Sequence, residues 1–175
     1  MGTYITIYYD QYESPIGSIT IMTYQNDLVR IDFGSFADIK EKARKYLVKI
    51  KENIYFKPSS VDHWVKKELD NYFAKRSFHF PNVHTFYGTT FQKEVWLALL
   101  RIPYGQTVSY KDVAQMINRP KAARAIGGAV NKNPLSIVVP CHRVIGADGS
   151  LVGYGGGIDR KHYLLKHEKL NDHSM

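Results

Sequence analysis

Cysteine is nearly absent: the 175 residues include one, Cys141. That excludes an intrachain disulfide and any metal site built from several thiolates. No Asn-x-Ser/Thr sequon occurs, and the first residues lack the basic, apolar and small-residue succession of a secretory signal. The chain is therefore expected to be cytoplasmic. Long apolar runs are missing too. The longest, residues 95–100, is far too short to cross a bilayer, and no membrane association is expected. Disorder is excluded by what is plentiful, 44% hydrophobic and 13% aromatic residues. Glycine is scarce in the first part only, with 3 in residues 1–83 and 10 in residues 84–175. Acidic residues thin out in the opposite sense. Residues 1–83 carry 12 basic and 10 acidic side chains, and residues 84–175 carry 12 and 6. A basic, glycine-rich second half suits a polyanionic partner and close backbone approach, although a merely basic surface accounts for the charge equally well.

The first 35 residues read as strands. Stretches 4–9, 18–24 and 28–33 are rich in β-branched and aromatic residues, Ser14-Pro-Ile-Gly17 is turn chemistry, and Asn26-Asp27 reverses the chain. Together they predict an antiparallel meander. Residues 38–51 are lysine-rich and weakly helical. A stronger helix is expected from Ser59, where Ser59-Ser-Val-Asp62 resembles a capping box. Val61, Trp64, Val65, Leu69, Tyr72 and Phe73 then trace one apolar stripe. This half reads as a small sheet carrying helices, with no catalytic constellation. Periodicity fails over residues 78–88, where Pro81, Asn82 and Gly88 intervene, and the expected domains are 1–84 and 85–175.

The second half opens with a helix over residues 90–101, burying Phe91, Val95, Trp96 and Leu99 and ended by Ile102-Pro-Tyr-Gly105. A helix pair follows. Ser109 caps the first with Asp112 three residues on, Tyr110, Val113, Ala114 and Ile117 share a face, and Asn118-Arg-Pro120 breaks it. The second turns Ala122, Ile126, Ala129 and Val130 inward and Lys121, Arg124 and Gly128 elsewhere. This is the shape of a helix-turn-helix, though a plain αα-hairpin is the commoner structure with such a pattern. Residues 122–129 are nearly stripped of bulk, at a cost of about 1 kcal/mol for each interior glycine. A helix so slim can approach its partner closely, and Arg124 rising from it can enter a groove or a base stack.

Ser136-Ile-Val-Val139 is expected to be a buried strand that delivers Pro140-Cys-His-Arg143 at its end. A sole cysteine is usually an inert buried hydrophobe. Here a proline bends the chain just before the sulfur, histidine and arginine crowd it, and Gly153-Tyr-Gly-Gly-Gly157 follows within reach. A neighbouring imidazole lowers a thiol pKa from about 8.5 or takes its proton, so the nucleophilic reading is favoured. His142 then needs an orienting partner. Glu168 shares the apolar face of Leu164 and Leu165, where a carboxylate requires pairing; a surface glutamate in an intrahelical pair fits the spacing as well.

These residues resemble a known family. Pro140-Cys-His-Arg-Val144 is similar to the active-site signature of the O6-alkylguanine-DNA alkyltransferases, the methylated-DNA–protein-cysteine methyltransferases, and the stand-alone bacterial type above all. Ile102-Pro-Tyr-Gly105 with Thr107, Ser109 and Tyr110, then Ala123-Arg-Ala125, Asn133-Pro134 and Leu164-Leu165 with Glu168, match the flanking blocks in order. Ser14-Pro-Ile-Gly17 fits the opening of the N-terminal domain. The resemblance implies an α/β two-domain fold, with a ribonuclease-H-like sheet domain followed by a winged-helix-like domain that contains the helix-turn-helix. It implies single-turnover repair of O6-alkylguanine, and of O4-methylthymine, with Cys141 as acceptor, His142 as base through water, Glu168 orienting it and Asn133 shaping the turn. Tyr110, Val144, Tyr154, Gly155 and Gly156 would line the substrate pocket. Arg124 would fill the stack of a base flipped through the minor groove, where helix-turn-helix shape alone predicts major-groove reading. No cofactor or metal is implied, and the chain is expected to act on duplex DNA as a monomer. Gly155 stands where some relatives have serine, Asn118 where glycine is frequent, and Asn131-Lys132 where Asn-Gly is common. Two other classes compete: a lesion binder, which in related proteins has tryptophan in place of the cysteine, and a cysteine hydrolase, which would turn over.

Overall fold

The computed structural model describes residues 4–60, 63–77, 79–81 and 85–169. The chain divides into two units, Met1–Gly88 with Pro134–Val138, and Thr89–Asn133 with Val139–Met175. Of the linker residues, Phe78, Asn82 and the 84 side of the expected boundary lie outside the described residues.

In the first unit, β1 (Ile5–Ser14), β2 (Gly17–Tyr24) and β3 (Asp27–Phe33) form the expected meander. The β2–β3 hairpin closes on Gln25 and Asn26, one residue earlier than the sequence suggests. Both have positive φ, 51° and 70°, as a two-residue turn of the primed kind requires. A fourth strand, β4 (Ile54–Pro58), pairs parallel with β1 and gives the order β3-β2-β1-β4. It carried no clear sequence signal, being five residues between polar stretches, and its Pro58 is tolerable because the strand is an edge.

Helices cover both faces of this sheet. Tyr9 stacks on Phe36 of α1 (Phe36–Leu47) at 3.7 Å between ring centroids. On the opposite pleat, Asp10 pairs with Lys66 and Tyr12 donates to Asp70, both on α2 (Trp64–Phe73). Ile19, Thr20, Ile21 and Met22 are accordingly buried in succession, despite the period-two pattern of their strand. Helix α1 starts at Phe36 because Ser35 and Asp38 close a capping box. Helix α2 does not start at Ser59. His63 is its N-cap, its Nδ1 accepting from the Val65 amide at 3.4 Å, while Val61 and Asp62 of the expected box lie outside the described residues. The stripe is otherwise in place, with Val65, Leu69 and Tyr72 buried.

In the second unit, α3 (Thr90–Leu99) buries Val95, Trp96 and Leu99, and the Trp96 indole N–H donates to the Ala129 carbonyl at 2.9 Å. Ser109 and Asp112 form the expected capping box of α4 (Tyr110–Met116). Asn118 occupies the turn at φ 57°, a left-handed conformation that asparagine adopts more readily than most residues, so it stands in for glycine. Helix α5 (Ala123–Asn131) then packs Ile126, Ala129 and Val130 inward and leaves Arg124 and Gly128 exposed. Two-residue strands β5 (Val108–Ser109) and β6 (Val144–Ile145) pair in parallel, and α6 (Ile158–Glu168) ends the described chain.

The expected strand at residues 136–139 does not form. Leu135, Ile137, Val138 and Val139 are buried as anticipated, but the backbone folds back on itself. The Val138 amide donates to the Ser136 carbonyl at 2.9 Å around Ile137, whose φ is 71°. The Cys141 amide donates to the Val139 carbonyl at 2.7 Å around Pro140, at φ −80° and ψ 62°. These are γ-turns, the first of the rare strained form and the second of the common inverse form. A β-branched residue in the left-handed region costs of order 1–3 kcal/mol, and burial of the Ile137 side chain offsets it.

Candidate active site

Proline 140 is what turns Cys141 out of line with the preceding chain. Its ring fixes φ near the value an inverse γ-turn needs, and a 3-10 turn over Cys141–Arg143 follows at once. Asn133 braces this corner by donating through Nδ2 to the Val139 carbonyl at 2.8 Å and to Cys141 Sγ at 3.0 Å. Cys141 is 4% exposed. Burial pushes the thiol up to about 11, while the Asn133 N–H and the Lys161 ammonium pull the other way. Of the two expected routes to a nucleophile, a thiol pKa depressed at rest is not found, because desolvation outweighs the neighbours; proton transfer to the imidazole is the other.

His142 is wholly buried. Its Nε2 lies 2.6 Å from Glu168 Oε1, and desolvation lowers its pKa, opposed by the Glu168 hydrogen bond and charge. A neutral imidazole facing a carboxylate places its proton on Nε2. Nδ1 then carries the lone pair, and it is buried with no hydrogen-bond partner among the described residues. Thiol and imidazole are thus both held neutral, with an acceptor nitrogen facing no donor.

Glu168 is buried at the end of α6, on the face it shares with Leu164. It is not an intrahelical surface pair. Besides His142 it accepts from Arg143, at 2.8 Å from Nε and 3.1 Å from Nη2, and from the Gly105 amide at 3.2 Å. Burial opposes its charge, but His142 and Arg143 prevail and hold the carboxyl well below the usual carboxylate range. Gly105 must be glycine here: its φ is 75°, and a Cβ would stand 2.9 Å from the Glu168 carbonyl oxygen.

Of the expected pocket residues, Tyr110 and Tyr154 both have phenols raised by burial, and Cys141 would raise them further once ionised. The Tyr110 hydroxyl donates to the Val152 carbonyl at 3.0 Å. Gly153, at φ 69°, allows this, because a Cβ there would meet that hydroxyl at 2.9 Å. Val144 is buried in β6, and Gly156 accepts from Arg160 at 3.0 Å. A Cβ on Gly155 would lie 3.4 Å from Asn131 Oδ1, tight for the serine of some relatives. Arg124 stands apart on the exposed side of α5.

Two residues escaped sequence reasoning. Arg143 clamps Glu168 and also donates to the Ile102 carbonyl at 2.6 Å. Lys161 is fully buried, and its Nζ donates to the Val144 carbonyl at 2.5 Å and to the Val152 carbonyl at 2.9 Å. It joins the segment after the cysteine to the Tyr110 acceptor. The signal was present, since residues 161, 164 and 168 fall on one face of a helix. Among the described residues, no group of three or more His, Cys, Asp or Glu side chains is placed to hold a metal ion.

A lone thiol beside an oriented imidazole, in a unit that carries a helix-turn-helix pair, fits the class of DNA-handling proteins with a reactive cysteine. Comparisons with known proteins agree. Residues 7–83 match the ribonuclease-like domain of 6-O-methylguanine DNA methyltransferase, and residues 90–170 match its DNA-binding domain. A methylated-DNA–protein-cysteine methyltransferase of Methanosarcina barkeri is 41% identical over 167 residues, covering 94% of this chain and 99% of the relative. The crystal structure of Mycobacterium tuberculosis O6-methylguanine methyltransferase superimposes with a TM-score of 0.80 at 40% identity, covering 93% of each chain. The M. tuberculosis protein in complex with DNA superimposes with a TM-score of 0.78 at 38% identity, over 94% of this chain and 93% of that one. The chain belongs to the 6-O-methylguanine DNA methyltransferase family. It binds DNA and repairs it by alkyl transfer to cysteine.

Proposed function

We propose that the chain repairs O6-alkylguanine, and O4-methylthymine, in double-stranded DNA, with Cys141 as the acceptor. The observation that carries this reading is the only thiol of the chain, buried beside Asn133 and next to an imidazole with a free lone pair. His142 Nδ1 takes the thiol proton by way of a water, and Glu168 stabilises the imidazolium that forms. Sγ attacks the alkyl carbon, the C–S bond forms as the carbon–O6 bond breaks, and the electron pair passes to the guanine, which regains a proton. The product is a thioether with no hydrolytic route back, so each molecule acts once.

A cysteine 4% exposed cannot meet an atom inside a duplex unless the base leaves the stack. Tyr110, Val144, Tyr154, Gly155 and Gly156 receive the flipped base, and α5 enters the minor groove, where its small residues permit close approach. Arg124 fills the vacated stack. The protein acts as a cytoplasmic monomer; among the described residues, no helix is long and apolar enough to cross a membrane.

Flipping costs a few kcal/mol, part of which an intruding side chain offsets. Arg124→Ala should therefore slow reaction with duplex O6-methylguanine at least tenfold, yet leave reaction with free O6-benzylguanine unchanged. Second-order rate constants at one salt concentration decide this. Equal slowing on both substrates would remove Arg124 from the flipping step.

A further inference from the structure

The second unit contains a cavity of about 650 Å³ that shares only Glu168 with the alkyl-transfer site. Its size falls within the range of small-molecule sites, about 300–1,000 Å³. None of the sequence-read substrate residues lines it: Tyr110, Cys141 and Tyr154 are absent from its wall. The wall is of two kinds. Ile145, Leu151 and Leu165 form an apolar side. His162, Lys166 and Lys169 form a basic one, spaced four and three residues apart so that they lie along one face of the α6 end.

Charge on this wall is unbalanced. Among the described residues lining the cavity the single carboxylate is Glu168, and its charge is already taken up by Arg143 and His142 at 2.6–2.8 Å. Lys166 and Lys169, both exposed to solvent on this side, therefore have no acidic counterpart in the lining. An occupant that complements both sides carries one negative charge on an apolar body. A neutral hydrocarbon leaves the ammonium groups unmatched, and a polyanion such as DNA has no use for the apolar side.

We infer that this cavity is a binding site for a small amphipathic monoanion, an aryl or short-chain carboxylate, distinct from the site that receives the alkylated base. The carboxylate lies toward Lys166 and Lys169, and the apolar body packs on Ile145, Leu151 and Leu165. Glu168 and Gly105 complete the lining and touch each other through the Gly105 amide at 3.2 Å.

The test uses the full chain and two probes, 1-naphthoate and the uncharged 1-naphthalenemethanol, titrated by calorimetry. Naphthoate should bind one per chain and at least tenfold more tightly than the alcohol. The double variant Lys166→Gln/Lys169→Gln should lose that tenfold preference and keep the alcohol affinity. Leu151→Asp should weaken both probes. Cys141→Ala should bind naphthoate as the unaltered chain does, which separates this cavity from the acceptor site. The binding assay does not depend on alkyl transfer, so failure of the repair reading leaves it standing. No saturable binding at millimolar naphthoate, a ratio near one between the probes, or loss of binding in Cys141→Ala would each overturn the inference. A circular-dichroism melt of each variant checks that its fold is retained, and a variant that melts early is replaced by Lys166→Met or Leu151→Asn with the same expectations.

Discussion

Each unit buries charge, and the two do it to different ends. In the first, Arg30 and Asp32, each 5% exposed, form a two-point ion pair on β3. Lys42 adds a contact to Asp32 at 3.0 Å, and the guanidinium lies 5.0 Å from the centroid of the Tyr46 ring. The second unit sets Arg143 and His142 against Glu168 with a similar two-point geometry. There the network is satisfied on one side only. Glu168 is fully engaged, yet His142 Nδ1 has no partner among the described residues and the adjoining thiol is held protonated. A closed network rigidifies a fold, whereas an open end on a rigid network is a place for a proton to go.

Removing the carboxylate from each network gives the largest effects. Glu168→Ala and Asp32→Ala should each destabilise by about 3–5 kcal/mol, because both strand buried cations. Urea unfolding measures that. Only Glu168→Ala should also abolish alkyl transfer in the molecules that remain folded. A comparable loss of transfer in Asp32→Ala would erase the distinction between the two networks.

The thiol supplies the next effect. Its pKa in the fold, about 11, lies above its ordinary value near 9. The neutral form is thus favoured by folding, and the stability it contributes is present at neutral pH and is lost as pH rises from about 9 through 11. Cys141→Ala should remove that alkaline decline of Tm. Iodoacetamide should alkylate Cys141 at a rate that climbs through pH 9 without levelling. A plateau below pH 8 would show a thiolate at rest.

The smallest effect belongs to the first unit. Tyr46, whose phenol burial raises to about 12, accepts from the Tyr87 amide at 3.2 Å. Tyr46→Phe should cost about 1 kcal/mol in urea unfolding and leave transfer untouched.

Much of this was legible in the residues, and unevenly so. The cap at Ser109 with Asp112 was read correctly, whereas the one expected at Ser59 was not, His63 capping that helix instead. The spacing of Glu168 with Leu164 left a paired carboxylate and a surface one equally open, and its burial decides for the paired one. What failed depended on tertiary context. Residues 136–139 have the composition of a strand, but prolines on either side and burial of Ile137 replaced ladder bonds with γ-turns. The thiol was read from its neighbours in sequence, which are basic, whereas its pKa follows from desolvation, which no neighbour reveals. Strand β4 needed β1 beside it to be a strand at all.

The central claim is that the open end of the second network exists to load one sulfur once. It is tested most directly by mixing the chain with excess O6-methylguanine duplex and weighing the intact protein, then its peptides. The protein should gain the mass of one methyl group per chain, on the peptide containing Cys141, with restored guanine equal in amount to protein. Guanine formed in excess of protein, or a methyl group on any other residue, would contradict it.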